Sequence, residues 1–474
     1  MRSVSSVSLR RRLIGDRVFY RKVLTVVMPM IIQNGITNFV SLLDNLMVGS
    51  LGTEQMSGVA IVNQLLFVFN LCIFGGLSGA GIFTSQFYGK KDQEGVRDTF
   101  RYKALLGIFL TLAALIVFYF FGSPLISLYL TDTTDGPAIQ TTLRSGEAYL
   151  RIMMLSLPAF MVVQIYTSTL RECSETMLPM KAGIIAVMVN LLFNWILIWG
   201  HLGFPALGVQ GAAIATVLSR LVELGIVCIW THRHTALCPW IEGAWRHLRV
   251  PGALARKITI KGSPLLINEA LWSSAMAFLN QCYSVRGLSV VAAMNISSTF
   301  TNLFNVVFLS MGSAVSIMVG QRLGAGDMEG ARDTDTKMIT FSIFLASSSA
   351  VLLLLTSPLF PRLYNTSDDV RSLATRLMMV TALFMPMNAF LNATYFTLRS
   401  GGKTIITFVF DSVFAWVVSI PVVFLLTRLS SLPVPGILAC EQGANIFKCI
   451  LGFYLVRKGV WLHNMVAGDA QKDS

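Results

Sequence analysis

The stretch Gln86-Phe-Tyr-Gly-Lys-Lys-Asp-Gln-Glu-Gly-Val-Arg-Asp-Thr99 occurs twice in this chain. It returns 235 residues later as Gln321-Arg-Leu-Gly-Ala-Gly-Asp-Met-Glu-Gly-Ala-Arg-Asp-Thr334, with eight of the 14 positions identical. The same offset carries Pro29 onto Pro264, and nearer the C-terminus an offset of 228 repeats further proline and glycine positions. We therefore predict that the chain contains two copies of one folding unit.

Apolar runs of membrane-spanning length fill both copies. The chain is 54% hydrophobic and only 13% charged, with a mean hydropathy of +0.66, which excludes a water-soluble domain of 474 residues. Taking about 20 residues for one crossing, we predict an all-α membrane protein with twelve transmembrane helices, at 23–48, 57–83, 102–121, 148–170, 177–199, 206–231, 259–284, 289–320, 338–357, 374–398, 404–427 and 434–456. Six spans return the chain to its starting side, so the two six-helix repeats should be parallel.

The distribution of basic residues predicts the topology. If the N-terminus is cytoplasmic, 28 of the 37 basic residues lie on the inner side and 7 on the outer side. The positive-inside rule then predicts a multi-pass protein of the plasma (inner) membrane with both termini in the cytoplasm. The net charge of +13 follows from these loops, so we expect the lipid bilayer as a partner and no nucleic acid. The predicted segments are an N-tail 1–22, an N-lobe 23–231, a linker 232–257, a C-lobe 258–457 and a C-tail 458–474.

Enzymatic motifs are missing from the sequence. The seven cysteines are scattered without CxxC or other metal spacing, so we predict no certain metal site and no cofactor. An intramembrane transferase would need paired aspartates to hold Mg²⁺, but Asp368-Asp369 and Asp132 with Asp135 lie in predicted outer loops at unsuitable spacing. We therefore predict that the protein is not an enzyme.

Glu269 is the residue in the seventh span that most needs an explanation. A carboxylate in hydrocarbon costs at least about 2.5 kcal/mol, so such acids usually face a cavity or a partner. Pro264, five residues earlier, frees a backbone carbonyl. The segment is typical of a broken helix beside a polar cavity. The alternative is a protonated Glu269 that only joins helices.

Other polar residues reach a similar depth from the cytoplasmic side. Glu269 and Asp411 each follow a lysine by eight residues, which is about 12 Å along a helix. Asn190 follows Lys181 by nine residues, and Asn34 is the repeat partner of Glu269. These four residues form a predicted polar belt, near which lie three further amides, Gln33, Asn194 and Asn388. A single Asn can equally serve as a helix-packing contact.

Three more charged positions lie in or near the spans. Asp44 lies about 22 residues beyond the start of the first span, near the outer surface, where it either anchors the helix end or takes part in ion coupling. Arg220 and Glu223, spaced i and i+3, should neutralise each other. Lys448 is the repeat partner of Arg220 and has no acid at i±3 or i±4, so we expect it to meet a lipid phosphate or the cavity.

The chain resembles the multidrug and toxic compound extrusion (MATE) family, within the group that also contains lipid-linked glycan flippases. The resemblance is carried by Asp44-Asn-Leu-Met-Val-Gly49, by the duplicated Gly89 and Gly324 loops, by the stretch from Asn190-Leu-Leu-Phe-Asn194 to Thr216, and by Pro264 through Trp272. It implies a V-shaped pair of six-helix bundles that exports organic cations in exchange for protons or sodium. It also implies that Asp44 and Glu269 are the first-helix and seventh-helix acids.

Two positions depart from the family pattern. The fifth-helix acid of one proton-coupled branch is Asn194 here, and the tenth-helix acid of another branch is Asn388. Asp411 could supply a replacement carboxylate. The resemblance therefore leaves both H⁺ and Na⁺ as coupling ions, with a possible sodium site near Asp44, Asn190 or Glu269.

We predict a secondary active antiporter for amphipathic, cationic drugs or metabolites that works by alternating access as a monomer. The unpaired acids of the belt and the many Met, Phe and Trp residues of an adaptable pocket support this prediction. A flippase for a lipid-linked glycan is the alternative, but it would need a cavity rich in Arg and Lys. If Glu269 and Asp411 share a cavity, a cationic substrate should displace a proton from it.

Overall fold

The computed structural model describes residues 13–49, 51–129, 136–364 and 366–467. Most of the predicted N-tail, the end of the C-tail and both Asp132 and Asp135 lie outside these ranges. Within them every regular element is a helix, so the predicted all-α class is confirmed. The long helices are α1 Arg17–Gly49, α2 Thr53–Gly89, α3 Gln93–Ser127, α4 Gly136–Met153, α5 Ser156–Glu172, α6 Met177–Trp199, α7 Val209–Arg233, α8 Gly252–Ser284, α9 Leu288–Gly324, α10 Met328–Thr356 and α11 Asp368–Ser400. They are followed by α12 Thr404–Phe408, α13 Ile420–Leu429, α14 Val434–Ala444 and α15 Ile446–Lys458.

The helix limits repeat with the sequence offset. Helices α1 and α8 have 33 residues each and are displaced by 235 positions, and α2 and α9 have 37 residues each with the same displacement. Helices α3 and α10 begin 235 positions apart as well. The duplicated sequence therefore produces duplicated helices, as we predicted.

The apolar character of the helices agrees with a membrane location. Among the described residues nine helices are long and apolar enough to cross a bilayer, and α4 with α5 forms a tenth crossing bent by 49°. Helix α8 and the pair α14 and α15 complete the twelve predicted spans. Helix α8 is less apolar than these nine helices, and it is the helix that carries Asn268 and Glu269.

The predicted break at Pro264 is wrong, because α8 is one continuous α-helix. A proline removes one intrahelical hydrogen bond, but the helix continues past it, and Leu265 and Asn268 on the following turn are buried. Irregular backbone occurs instead in the eleventh span, where π-helical turns cover Val409–Val413 and Ala415–Ser419 between α12 and α13. Such turns are frequent at functional sites, and Asp411 lies in the first of them.

By its contacts the chain divides into two compact units. The amino-terminal unit consists of Ile32–Thr84 and Gln93–Ile258. The carboxy-terminal unit consists of Ser85–Asp92, Thr259–Ser474 and Met1–Ile31, as far as these residues are described. The limits predicted for the two lobes, the linker and the tails stay predictions.

In the carboxy-terminal unit the two copies of the repeated stretch touch each other reciprocally. A Cβ atom at Gly89 would overlap the carbonyl of Gln321, and a Cβ at Gly324 would overlap the carbonyl of Gln86. The Gln86 side chain donates to the Ser400 carbonyl at 3.0 Å and accepts from the Met465 N–H at 2.8 Å. The shared glycine is thus required by a close backbone crossing.

The start of α10 is capped by an aspartate of the second repeated stretch. Asp327 caps the helix by accepting from the Gly330 N–H at 2.8 Å. This bond, together with Arg322, holds the pKa of Asp327 below its usual value.

In the amino-terminal unit the predicted linker folds against α3 and α5. Trp240 is fully buried and packs on Phe100 at 5.1 Å between ring centroids. Arg97 and Arg101 of α3 donate to four backbone carbonyls of the segment 239–244. The segment is therefore fixed to this unit by charged donors on neutral acceptors.

Candidate transport site

Asp44 and two amides of α6 form the centre of a polar cluster in the amino-terminal unit. Asn194 Nδ2 donates to Asp44 Oδ1 at 2.8 Å and lies 3.1 Å from the side-chain amide of Asn190. The two asparagines are four residues apart, so they lie on the same face of α6. The sequence predicted that Asp44 lies near the outer surface, away from the polar belt. In the structure Asp44 contacts Asn190 and Asn194, because α1 passes along α6 at this point.

The amide of Asn190 also faces the carboxylate. Its terminal atom lies 2.9 and 3.1 Å from the two Asp44 oxygens, and an amide nitrogen in that position donates to both. An amide oxygen there would need a proton on Asp44, since two acceptors cannot bond each other. On its other side the Asn190 amide lies 3.3 Å from Thr216 Oγ1. Asn190 therefore connects Asp44 with Thr216 in either orientation.

The cluster forms part of the wall of a cavity of about 410 Å³. Polar groups and large apolar side chains alternate around it: Asp44, Val48, Val59, Asn63, Leu66, Phe67, Asn70, Tyr149, Met153, Ser156, Leu157, Phe160, Asn194, Ala212, Thr216 and Arg220. The buried Tyr149 hydroxyl donates to Asn63 Oδ1 at 3.4 Å. The lining thus places large apolar side chains beside polar groups that could orient a small molecule.

A second cavity of about 360 Å³ shares Asp44, Phe160, Thr216 and Arg220 with the first. Its other lining residues include Gln33 and Asn34, so two further predicted site residues reach the same space as Asp44. Arg220 Nη1 lies 2.9 Å from Glu223 Oε2, as predicted, and its guanidinium lies over the Phe160 ring at 5.0 Å. That ion pair removes most of the net charge from this part of the wall.

The carboxy-terminal unit holds a separate cluster around Asp411. Asn268 Nδ2 donates to Asp411 Oδ2 at 3.3 Å, and Ser412 Oγ donates to Asn268 Oδ1 at 2.6 Å. Lys448 Nζ lies 3.8 Å from Asp411 Oδ1. The prediction that Asp411 is an unpaired acid is therefore wrong, and Lys448 faces this carboxylate rather than lipid phosphate. Sequence spacing could not reveal the pair because the two residues lie on different helices.

Glu269 and Asn388 occupy different surroundings in this unit. Glu269 is half-buried and lies within electrostatic range of Asp411 and Arg399. Asn388 Nδ2 donates instead to Gln442 Oε1 at 3.1 Å, and Gln442 donates onward to Glu441. The structure thus brings Glu269 near Asp411, whereas Asn388 belongs to a different chain of hydrogen bonds.

Several residues around these clusters escaped the sequence reasoning. Thr216, Phe160 and Tyr149 carry no charge, so only the folded helices reveal that they line the cavities. Arg171 could have been found, because the repeat Thr169-Leu-Arg171 and Thr397-Leu-Arg399 places a cation at one position of both copies. Arg171 lines the second cavity.

Comparisons with known proteins agree with this architecture. The MatE family profile matches residues 29–196 and 264–425, one match in each copy and together more than half of the chain. Probable multidrug resistance protein YoeA of Bacillus subtilis is 24% identical over 440 residues, covering 92% of this chain and 93% of YoeA. Multidrug resistance protein NorM of Photobacterium profundum is 23% identical over 407 residues, covering 86% and 87%. A mutant of the Vibrio cholerae MATE transporter VcmN has the same fold, with a TM-score of 0.83 at 17% identity over 94% of this chain and 98% of VcmN.

These matches extend over nearly the whole length of both partners, and the relatives are named for multidrug resistance. They do not favour the glycan flippase. They also agree with a role as a transporter and not as an enzyme. The two-part profile match therefore shows that this chain is a membrane transporter of the multidrug and toxic compound extrusion family.

Proposed function

We propose that the protein is a secondary active antiporter that exports amphipathic, cationic molecules in exchange for protons or sodium by alternating access. The observation that carries this proposal is the Asp44 carboxylate, held by amide groups in the wall of a cavity large enough for a small organic molecule. Among the described contacts Asp44 has no cationic side chain as a partner. An acid of this kind can bind either a cationic substrate or a coupling ion, but not both at full strength.

Asn190 couples the protonation of Asp44 to its surroundings. When Asp44 is ionised, the amide nitrogen faces it and donates to both oxygens. When Asp44 carries a proton, the amide can rotate so that its oxygen accepts this proton and its nitrogen donates to Thr216. Asn190 thus offers a donor to the ionised carboxylate and an acceptor to the protonated carboxyl group. A proton and a cationic substrate would then compete for the Asp44 carboxylate, so that proton binding favours substrate release.

Sodium is the alternative coupling ion at the same place. The cluster offers oxygen atoms from Asp44, Asn194, Asn190 and Thr216, and a hard cation prefers oxygen ligands. Asn194 Oδ1 is buried and has no hydrogen-bond partner among the described atoms, so it could accept a cation. A bound sodium ion would neutralise Asp44 as a proton does.

Glu269 and Asp411 form the second acidic group of the proposed mechanism. Lys448 lies over the rings of Phe410 and Phe414 at 5.3 and 5.2 Å and shares Asp411 with Asn268. Protonation of Asp411 would release Lys448 from its carboxylate partner. The carboxy-terminal unit would thereby respond to the coupling ion without binding the substrate itself.

We further propose that the protein works as a monomer in the plasma membrane, with both termini in the cytoplasm. The 28 to 7 distribution of basic residues supports this orientation. Its partners are a small-molecule substrate and the lipid bilayer, and no cofactor takes part besides the coupling ion.

Purified protein in vesicles tests the proposal. A fluorescent organic cation should be transported against its gradient when a proton gradient is imposed without sodium, or when a sodium gradient is imposed at equal pH on both sides. Asp44→Asn should abolish the driven transport, while Glu54→Gln, in the first turn of α2, serves as a control. Transport that responds to neither gradient, or an active Asp44→Asn protein, would refute ion coupling at this site.

A further inference from the structure

A separate basic cavity lies where the predicted linker folds against the start of α3. It has a volume of about 360 Å³, and we call it the linker cavity; its wall is formed by Arg97, Arg101, Glu242, Gly243, Arg246 and His247. Three guanidinium groups and one carboxylate give this wall a net charge of +2 when His247 is neutral. All six residues belong to the amino-terminal unit, and none of them lines the two cavities beside Asp44. The linker cavity is therefore distinct from the candidate transport site.

Two of the three arginines are fixed in place by the fold. Arg97 and Arg101 donate to backbone carbonyls of the segment 239–244, and Arg101 also lies 3.0 Å from Asp98 Oδ1. The carbonyls are neutral, so Asp98 is the single acid that offsets these two charges at short range. The inner wall of the linker cavity is thus built from positioned cations.

Arg246 and His247 form the open side of the linker cavity. Both side chains are exposed, and Arg246 makes no side-chain hydrogen bond or ion pair with any residue that the structure describes. A Cβ at Gly243, whose φ is +70°, would lie 3.7 Å from Cδ of Arg246. The Arg246 side chain therefore folds back over this turn into the wall, where its guanidinium is accessible to a ligand.

The exposed apolar face of α3 begins beside this cavity. Arg101, Leu105, Phe109 and Leu112 follow one another at intervals of four, four and three residues, so they lie on one face of the helix. The three apolar side chains are exposed. Only 17% of the most apolar 18-residue stretch of α3 is buried, the lowest share among the nine apolar helices of the described chain. In a membrane this face contacts lipid chains.

The linker itself carries side chains suited to a membrane–water interface. The indole ring of Trp245 is exposed, and its Nε1 donates to the Tyr166 hydroxyl at 2.8 Å. Leu237 is an exposed apolar side chain of the same segment. Tryptophan is enriched where one part of the ring meets lipid and the N–H has a polar partner. The predicted orientation therefore places the linker cavity at the level of the headgroups of the inner leaflet.

We propose that the linker cavity binds the phosphate group of an anionic glycerophospholipid, with the acyl chains of this lipid on the exposed face of α3. Arginine forms strong charge-assisted hydrogen bonds with phosphate, and basic pockets on the cytoplasmic side of membrane proteins bind anionic headgroups. A free phosphate ion would meet the same donors but would not use the apolar face. Glu242 opposes additional negative charge, which favours a singly charged phosphodiester over a phosphate dianion.

Diffuse attraction between the anionic membrane surface and every basic loop is the competing explanation. In that case any exposed arginine near the surface contributes alike, inside or outside the cavity. Arg256 provides the matched control, because it is exposed near the start of α8 and does not belong to the cavity wall. Arg246→Gln and Arg256→Gln remove the same charge, so a difference between them reports the cavity. Arg97 and Arg101 are left intact, since their loss would release the linker.

The test titrates the purified full-length protein with dioctanoyl phosphatidylglycerol and counts bound lipid by native mass spectrometry. Arg246→Gln should weaken binding about fivefold, the effect of one basic residue near an anionic surface. Arg246→Lys should retain most of the binding, and Arg256→Gln should bind like the wild type. Glu242→Gln should strengthen binding about twofold to fivefold, because it removes a like charge. Dioctanoyl phosphatidylethanolamine should bind more weakly, and inorganic phosphate should not displace the bound lipid.

The opposite results would overturn the proposal in distinct ways. Equal losses in Arg246→Gln and Arg256→Gln, or no loss in either, would leave only diffuse attraction. Equal binding of the ethanolamine lipid, together with weaker binding by Glu242→Gln, would assign the cavity to a zwitterionic headgroup whose ammonium meets Glu242. Displacement of the lipid by inorganic phosphate would assign the cavity to a free anion. None of these readouts depends on transport, so the proposed export function is tested separately.

Discussion

The reciprocal contact of the two repeated stretches predicts an unusual sensitivity to a single methyl group. In Gly89→Ala the new Cβ would overlap the Gln321 carbonyl, which is backbone and cannot rotate away. The two chain segments would have to separate by more than about 1 Å to restore an ordinary contact. Overpacking of this kind typically costs about 1–3 kcal/mol, and a backbone obstacle places the expected cost at the upper end.

The control is another glycine whose surroundings are open. Nothing lies within 4 Å of a Cβ built at Gly225, in the middle of α7. Gly225→Ala should therefore stabilise the protein by about 0.5–1 kcal/mol through the lower entropy of the unfolded chain. The two alanine substitutions should thus have effects of opposite sign.

Thermal and denaturant unfolding in mild detergent, followed by tryptophan fluorescence, would measure both effects. The variant Gly324→Ala should lose as much stability as Gly89→Ala. The reason is that Gly324 faces the Gln86 carbonyl in the same way as Gly89 faces the Gln321 carbonyl. The double variant should lose clearly less than the sum, since the first separation already makes room for the second methyl group. Additive losses, or a Gly89→Ala protein as stable as the wild type, would refute the reciprocal crossing.

Three further predictions concern transport and topology. Glu269→Gln should abolish coupled export with expression intact while Asn34→Ala only reduces it, and equal, mild effects in a vesicle export assay would favour a packing role. Asp411→Asn should shift the pH dependence of export, because it removes the carboxylate that Lys448 faces; an unchanged profile would exclude Asp411 from the mechanism. Cysteines introduced near residues 135 and 366 should react with an impermeant reagent from outside, whereas those near 92, 240 and 328 should not, and the reverse pattern would contradict the predicted orientation.

Local features of the fold were predictable from the sequence because they depend on neighbouring residues. The helix limits of α1 and α8 follow the repeat offset, and the pair Arg220 and Glu223 follows from helical spacing. The continuity of α8 through Pro264 was not predictable. It depends on packing around the proline, which apolar periodicity does not report.

Long-range contacts explain most of what the sequence missed at the site. Asp44 and Asn194 are 150 residues apart, and their contact depends on where α1 lies along α6. Lys448 and Asp411 belong to different helices, and no fixed spacing relates them. The composition indicated that such charges must find partners inside a membrane, but only the packing of helices selects which partner each one has.

The two copies of the repeat have matching helices, but the side chains at equivalent positions differ in charge and in their partners. Arg220 corresponds to Lys448, yet the first pairs with an acid on its own helix and the second with Asp411. The counterpart of Asp411 in the first copy is Gly183, whose missing side chain leaves room for Gln33. The counterpart of Asp44 in the second copy is Leu279, which is buried in an apolar core. One scaffold therefore carries a cavity with separated charges in one unit and a compact ion pair in the other, so ion and substrate need not act on both units alike.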